Sequence, residues 1–119
     1  PVGDGSIIGR YLPQPLMGDA IGKMGRLDEI LGEGFVVLGR DLDPTELLSA
    51  DEKAKWDELG ARYIAVRSQN AFSESGTDLI DLEGAIGAFM DRYGVRAIAV
   101  RPDRFIASSD QQQLAVPAL

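Results

Sequence analysis

Three short apolar runs, separated by segments of helical character, most constrain how this chain can fold. The runs are FVVLG at 35–39, ARYIAVRS at 61–68 and VRAIAVR at 95–101. FVVLG is a continuous apolar run, which is typical of a strand that is buried on both faces of a sheet, and the other two have the apolar, β-branched centres YIAV and AIAV. The sequence therefore predicts a central sheet with both of its faces covered.

Two helices are predicted between these strands. The segment SADEKAKWDELG begins with Ser49 and Glu52 at capping-box spacing and ends at Gly60, a natural helix stop. The second helix is predicted to begin near Asp81 or Leu82 and to end at Gly94. Its apolar positions fall on one helical face: Leu82, Ile86, Phe89, Met90 and Tyr93.

The order of elements predicts the fold class. A short helical turn at 26–32 and the first strand are followed by helix, strand, helix, strand and a returning strand, RFIAS at 104–108. The first half is a βαβ crossover, which is right-handed and gives parallel strands, and the second half is αββ with a tight antiparallel hairpin. The prediction is an α/β protein with a mixed β-sheet and flanking helices, the layout of the thioredoxin-like fold.

Changes in composition along the chain predict its domain organisation. Residues 1–25 are rich in glycine and proline and lack a helical period, so we expect an extended N-terminal arm or linker. Residues 26–110 form the predicted domain, and residues 111–119 form a C-terminal tail, frayed or docked on a partner. Because the chain begins at Pro1, an excised or processed piece is expected.

Composition excludes several classes of function. The net charge is −7 at pH 7, so nucleic acid and anionic membranes are poor partners. The chain has no cysteine and no histidine, which removes disulfides, thiol redox chemistry, thiolate ligation and the commonest general base. No apolar run is long enough to span a bilayer and no signal peptide opens the chain, so we expect a cytoplasmic protein.

The place where a thioredoxin-like fold carries its reactive cysteines is occupied here by GRDLDPTELLSADE at 39–52. This segment has neither a CxxC motif nor a substitute nucleophile with a base. The proline that commonly precedes the third core strand is also missing, since Gly94 and Val95 stand there. We therefore predict no catalytic, cofactor-binding or metal-binding residues, and a fold that serves as a scaffold.

Two weaker motifs resemble binding sites. The glycines of MGDAIGKMG, at Gly18, Gly22 and Gly25, match no phosphate-binding pattern, so a loop is predicted there. An acidic group near the second predicted helix lacks the spacing of a calcium loop and is predicted to be a solvated helix start. Its members are Asp41, Asp43, Glu46, Asp51 and Glu52.

Aromatic and basic residues offer two further candidates. Trp56 and Tyr63 could form an aromatic platform, but a single tryptophan facing a core is more often packing. The arginines Arg62, Arg67, Arg96 and Arg101 flank two predicted strands and could gather into an anion site. We interpret them first as rim charges and second as ion pairs at a subunit or domain interface, with Arg62, Arg67 and Arg96 as the possible interface residues.

The corner between the last two strands is predicted to be a turn. Pro102 fixes φ near the value for the second position of a type I turn, and Asp103 suits the third. The residue before a proline is pushed to extended geometry, which Arg101 needs as the end of a strand. Local physics therefore explains Arg101, Pro102 and Asp103 as a structural motif without any chemistry.

That corner also carries a family resemblance. AVRPDRFIAS at 99–108 resembles the close of the C-terminal domain of flavin-dependent aromatic hydroxylases, the group that includes 3-(3-hydroxyphenyl)propionate hydroxylase and phenol hydroxylase. GRYLPQP at 9–15, RLDEILGEGFVVLG at 26–39 and the helix before GVRAIAVRPD also fit. Together these stretches cover most of residues 9–108.

The resemblance implies a thioredoxin-like C-terminal domain of a larger monooxygenase. The parent enzyme would hydroxylate a phenolic substrate with FAD, NAD(P)H and O₂, and none of these cofactors would bind this domain. The partner would be the upstream flavin domain or a second subunit of a homo-oligomer. Gly18 and Asp19 resemble part of the family's flavin-contact motif, but Ile21 and Gly22 depart from it, so no flavin role is assigned.

Two alternatives stay open at this point. An independent thioredoxin-like redox enzyme fits the order of elements but not the cysteine count. A free-standing, redox-inactive module that binds a small ligand or a protein would use the arginines near the strand ends.

Overall fold

The computed structural model describes residues 6–19, 24–68 and 78–116. The strands are β1 Leu16–Asp19, β2 Met24–Arg26, β3 Val36–Arg40, β4 Arg62–Ser68, β5 Leu79–Asp81, β6 Ala97–Val100 and β7 Ile106–Ser109. The helices are α1 Leu27–Leu31, α2 Ala50–Glu58 and α3 Ala85–Tyr93, with 3₁₀ helices at Pro44–Leu47 and Asp110–Gln112. These strands form one mixed sheet in the order β2-β1-β5-β4-β3-β6-β7.

The centre of the sheet has the predicted βαβ and αββ connections. β3 pairs in parallel with β4 and antiparallel with β6. β4 pairs in parallel with β5, and β6 pairs antiparallel with β7. Because β3, β4 and β5 are parallel, their carboxyl ends lie at one edge of the sheet, and this edge carries most of the charged network described below.

The core has two layers, one on each face of the sheet. Neighbouring residues of β3 point to opposite faces, so Leu38 joins the core that contains Ile86 of α3, and Val37 joins the core that contains Trp56 of α2. All of these side chains are fully buried. The continuous apolar run of β3 therefore matches a strand covered on both faces.

The N-terminal part is more ordered than the sequence predicted. Instead of a loop at Gly18 and Gly25, β1 and β2 form an antiparallel hairpin in which Met17 faces Gly25, and β1 also pairs with β5. Leu12 and Met17 are fully buried in the main core. The loop prediction was wrong because strands of three or four residues with glycines give almost no periodic signal. Gly22 lies outside the described residues.

The second long helix begins later than predicted, at Ala85 rather than near Asp81 or Leu82. Asp81 is the last residue of β5 and pairs with both neighbouring strands. Gly84 precedes the helix with a left-handed φ of 69°, which a residue with a side chain adopts at a cost. The predicted apolar face is correct for Ile86 and the residues after it, whereas Leu82 belongs to the turn before the helix.

The described part of the predicted C-terminal tail, residues 111–116, packs on its own domain instead of being frayed or docked on a partner, and residues 117–119 lie outside the described residues. Leu114 is fully buried, and its carbonyl oxygen accepts a 2.8 Å hydrogen bond from the Trp56 indole nitrogen. The Val116 N–H donates to the Glu52 carboxylate over 3.1 Å. In the described ranges no helix is long and apolar enough to cross a membrane.

Candidate functional site

The carboxyl end of β3 is the place where a thioredoxin-like fold would carry its reactive group. A Cβ at Gly39 would overlap the Leu42 carbonyl oxygen and would lie 2.9 Å from the Pro44 nitrogen. The chain therefore turns back sharply against β3, and Asp41 takes a left-handed φ of 57°. Asp43 then caps the 3₁₀ helix, since its carboxylate accepts from the Thr45 N–H at 2.9 Å.

Arg40, the last residue of β3, holds the charges at this edge together. Its guanidinium donates to both carboxylate oxygens of Asp91 in α3, at 2.9 and 2.8 Å, and to Asp41 at 2.8 Å. The hydrogen bond with Asp91 raises the pKa of Arg40, against the opposing effect of burial. Gly87 leaves room for this guanidinium, which lies 3.2 Å from where a Cβ would stand.

A second arginine ties the neighbouring strands together. Arg67 of β4 pairs with the buried Asp78 at 3.1 Å and donates to the Asp41 carbonyl oxygen at 2.7 Å. The Asp41 carboxylate in turn accepts from the Ser68 N–H at 2.8 Å. The loop after β3 is thus fixed to β4 by both backbone and side-chain hydrogen bonds.

The N-terminus of α3 faces the same edge and is capped by the chain itself. The buried carboxylate of Asp81 accepts from the backbone nitrogens of Ile86 and Gly87 at 3.3 and 2.8 Å. These free helix N–H groups are the donors that an anionic ligand would use. Because Asp81 already occupies them, this helix end does not offer an anion site.

A cleft of about 240 Å³ opens between these elements. Its walls include Arg40, Ser68, Asp81, Glu83 and Gly87. The cleft holds no thiol or imidazole, since the chain has neither residue type. Its cationic group, Arg40, is engaged by two carboxylates. The geometry of Arg40 supports structural ion pairing at this edge, and that the cleft does no chemistry stays a prediction.

The four arginines nominated from the sequence do not gather into one site. Arg62 and Arg67 stand near opposite ends of β4, about 17 Å apart at ~3.3 Å per residue. Arg62 donates to the Leu31 carbonyl oxygen at 2.6 Å, at the end of α1. Arg96 pairs with Asp110 at 3.5 Å. The structure therefore does not form the single anion site that was considered as an alternative, and the use of Arg62, Arg67 and Arg96 at an interface stays a prediction.

The corner between β6 and β7 is a four-residue turn. The Arg104 N–H donates to the Arg101 carbonyl oxygen at 2.8 Å. The Asp103 carboxylate pairs with the exposed Arg101 guanidinium at 2.6 Å and accepts from the Phe105 N–H at 3.2 Å. The side chains of the Arg-Pro-Asp motif, Pro102 included, are exposed. That the motif does no chemistry stays a prediction.

The residue after that motif, Arg104, has a structural role that sequence reasoning missed. It has a left-handed φ of 71° and is only 5% exposed. Its guanidinium pairs with Asp28 of α1 at 2.5 Å and donates to the carbonyl oxygens of Gly32 and Gly34. Arg104 therefore satisfies the carboxyl end of α1 and the loop that enters β3.

The two aromatic residues nominated as a platform have separate roles. Trp56 is fully buried and packs at 5.7 Å from the Phe35 ring. The Tyr63 hydroxyl donates to Asp57 at 2.6 Å. Burial, followed by this hydrogen bond, raises the pKa of Tyr63, and hydrogen bonds from Tyr63 and then Lys53 lower the pKa of Asp57. The platform is not formed.

The acidic residues before α2 act as caps and ion-pair partners. Ser49 accepts from the Glu52 N–H at 3.1 Å, as its spacing predicted, but the Glu52 carboxylate binds Val116 instead of reaching back. Asp51 and Glu52 lie in the first helical turn, where they meet the helix dipole favourably. Among residues 6–19, 24–68 and 78–116, no group of three or more acidic side chains could hold a metal ion.

Comparison with known proteins gives a consistent family. A family model described as the HcaD C-terminal domain matches residues 9–118. A 3-(3-hydroxy-phenyl)propionate/3-hydroxycinnamic acid hydroxylase 2 from Burkholderia vietnamiensis is 34% identical over 110 residues, which are 85% of this chain and 20% of that protein. A related hydroxylase from a Mycobacterium species is 37% identical over 89 residues, 70% of this chain and 16% of that protein. The chain spans about a fifth of the length of these relatives.

Solved structures agree on the fold. Aklavinone-11 hydroxylase, solved with FAD and aklavinone, is 26% identical with a TM-score of 0.53, over 91% of this chain and 18% of that one. The thioredoxin domain of a thiol-disulfide oxidoreductase from Bacteroides vulgatus is 13% identical with a TM-score of 0.55, over 90% of this chain and 91% of that one. The predicted thioredoxin-like fold is confirmed.

Proposed function

The chain belongs to the HcaD C-terminal domain family, and from this premise we propose that it is a non-catalytic structural domain at the end of a longer aromatic hydroxylase. The match over residues 9–118 carries the proposal, together with the similar hydroxylases, of which this chain spans about a fifth. The parent enzyme would use FAD and NAD(P)H to hydroxylate a phenolic substrate in the cytoplasm. FAD is the cofactor in the solved aklavinone-11 hydroxylase.

The edge that carries chemistry in thioredoxins supports a non-catalytic role here. Arg40 is bound by Asp91 and Asp41, and Asp81 caps α3. A nucleophile poised beside a general base is the arrangement that covalent or acid–base catalysis needs, and these contacts instead join a strand, a loop and a helix. The domain therefore contributes binding and stability, and FAD and NAD(P)H belong to the upstream part.

The partner in this proposal is the flavin domain of the same chain, or a second subunit. Interfaces between domains of one chain are commonly polar and of moderate size. Arg62 and Arg96 suit such a surface, since both residues are exposed and the Arg96 side chain is 67% exposed beside Asp110.

The deciding experiment measures the native polypeptide by immunoblot with an antibody raised to this chain. We expect a band several times larger than 12.8 kDa, in a protein that carries FAD. The same blot on cells from which the coding segment is deleted is the control. A band at 12.8 kDa would contradict the proposal and would favour a free-standing, redox-inactive binding module.

A second measurement tests the absence of cofactor chemistry in the domain. Titration of the 119-residue chain with FAD should give no stoichiometric yellow complex, and insulin disulfides should not be reduced. Either activity would overturn the assignment of the cofactor to the upstream part.

A further inference from the structure

Exposed apolar side chains in the described residues are concentrated beside β7, the last strand in the order of the sheet. Four large apolar side chains are more than a third exposed: Ile8 at 38%, Tyr11 at 53%, Met24 at 63% and Phe105 at 40%. Ile8, Tyr11 and Phe105 lie beside β7, and we call them the aromatic edge. Met24 lies on β2, at the opposite end of the strand order, and is not part of this group.

The aromatic edge is held rigidly by the backbone. The segment before β1 runs antiparallel to the chain around β7, with Tyr11 directly opposite Phe105. The Gly9 N–H donates to the Ile106 carbonyl oxygen, and the Ile106 N–H donates to the Arg10 carbonyl oxygen, both at 2.9 Å. The rings of Tyr11 and Phe105 meet edge to face, with centroids 5.3 Å apart. Two aromatic side chains are thus ordered in advance at an exposed site.

Charged groups surround these rings. The turn before Phe105 carries the exposed Arg101–Asp103 ion pair, and the Arg101 N–H donates to the Phe105 carbonyl oxygen at 2.9 Å. An apolar aromatic centre with a polar rim is the usual anatomy of a protein interface. Tyrosine and arginine are also enriched among the residues that dominate binding energy. The aromatic edge therefore has the composition and the rigidity of a docking surface.

The position of the edge along the chain identifies its occupant. The family is described as a C-terminal domain, and about four fifths of the relatives' length lies outside the match. In the proposed parent, the upstream chain enters this domain through the segment that carries Ile8 and Tyr11. Because the two domains of such a chain are covalently linked, each has a high effective concentration near the other. Even a small docking surface is then occupied.

We propose that the aromatic edge is the surface on which the upstream flavin domain of the same polypeptide packs. This inference rests on the proposed function, because it needs the longer parent chain. Burial of Tyr11 and Phe105 against the flavin domain removes their apolar rings from water. Arg101 and Asp103 then form the rim of the interface.

Hydroxyl-radical footprinting of the native full-length protein tests the proposal. Each residue's oxidation rate is divided by its rate in unfolded peptides, and Met24 is the internal control. In the full-length protein we expect Tyr11 and Phe105 to oxidise about tenfold slower than in peptides, and Met24 about twofold slower. Protection of Tyr11 and Phe105 no greater than that of Met24 would overturn the inference and leave the proposed function intact.

Dilution and variants separate the possible occupants. Protection that persists when the protein is diluted to the monomer supports packing within one chain, whereas protection lost on dilution assigns the edge to a second copy and overturns the proposal. Tyr11→Ser with Phe105→Ser should raise the radius of gyration of the full-length protein, and Met24→Ser should not. A native band at 12.8 kDa would overturn both this inference and the proposed function.

Discussion

The two ends of β3 are stabilised in different ways. At its carboxyl end, the backbone is the constraint: Gly39 leaves no room for a side chain, and the ion pair of Arg40 with Asp91 is partly exposed, at 31% and 63%. At its amino end, a side chain is the constraint: Arg104 is almost fully buried and joins α1 to the loop that enters β3. The end where thioredoxins carry reactive cysteines has become a tight backbone turn.

This difference indicates which kind of substitution each end tolerates. Exposed ion pairs contribute little to stability, because water screens them and the side chains lose freedom. A buried cation with several acceptors contributes much more, because its removal leaves polar groups without partners. We therefore expect the carboxyl end to be sensitive to an added Cβ and the amino end to be sensitive to side-chain truncation.

The largest expected effect is that of Gly39→Ala. The new Cβ would meet backbone atoms of Leu42 and Pro44, which cannot move aside as a flexible side chain could. We expect a loss of about 3 kcal/mol in the free energy of unfolding, measured by urea denaturation. The control is Gly25→Ala, whose Cβ would meet Ile30 at an ordinary 3.6 Å. Equal losses in the two variants would show that the carboxyl end is not limited by its backbone.

Arg104→Ala comes next and tests the amino end. The substitution leaves the carbonyl oxygens of Gly32 and Gly34 without their donor and removes the ion-pair partner of Asp28. We expect a loss of about 2–3 kcal/mol by urea denaturation. Arg101→Ala removes an exposed ion pair in the same turn and should cost about 0.5 kcal/mol or less. If Arg101→Ala cost as much as Arg104→Ala, the contrast between buried and exposed arginines would fail.

A smaller effect is expected for Pro102→Gly. The proline is exposed and acts mainly by restricting the unfolded chain, so its replacement should cost about 1 kcal/mol or less. Thermal unfolding of the domain measures this cost, and turnover of the parent enzyme measures any chemical role. Lost turnover with unchanged stability would contradict the interpretation of Arg101, Pro102 and Asp103 as a structural turn.

The smallest effect is expected for Tyr63→Phe, which should change how the free energy of unfolding of the domain depends on pH. Folding lowers the pKa of Asp57 below its ordinary 3.8, mainly through the Tyr63 hydroxyl. The unfolded state therefore binds the proton first, so the contribution of Asp57 is full above about pH 4 and is lost as the pH falls through the folded value. In Tyr63→Phe, urea midpoints measured from about pH 6 to about pH 3 should fall less steeply than in the unaltered chain. The exposed Tyr11→Phe is the control, and an identical profile for Tyr63→Phe would contradict this coupling.

The sequence predicted the parts of the fold that depend on local pattern. β3, β4 and β6 each have an apolar centre, and Ser49 marks the start of α2. β1, β2 and β5 were missed because each has only three or four residues and is stabilised by its neighbours rather than by its own pattern.

The candidate site was less predictable because its contacts are distant in sequence. Arg40 and Asp91 are 51 residues apart, and Arg104 and Asp28 are 76 residues apart. A single sequence contains no signal for such pairs. The turn at Pro102 could be predicted because the residues that produce it lie within four positions of the sequence. The role of Arg104, two residues later, could not be predicted, because it depends on contacts with α1, which is distant in sequence.

The docked C-terminal segment gives the domain an intrinsic optical reporter. The sequence contains a single tryptophan, and its indole nitrogen is bound to the Leu114 carbonyl oxygen in the interior. Release of this segment would expose the indole to water, which shifts tryptophan emission to longer wavelengths. Detachment of Leu114 and Val116 from α2 is therefore observable in the isolated domain by fluorescence, without any added label.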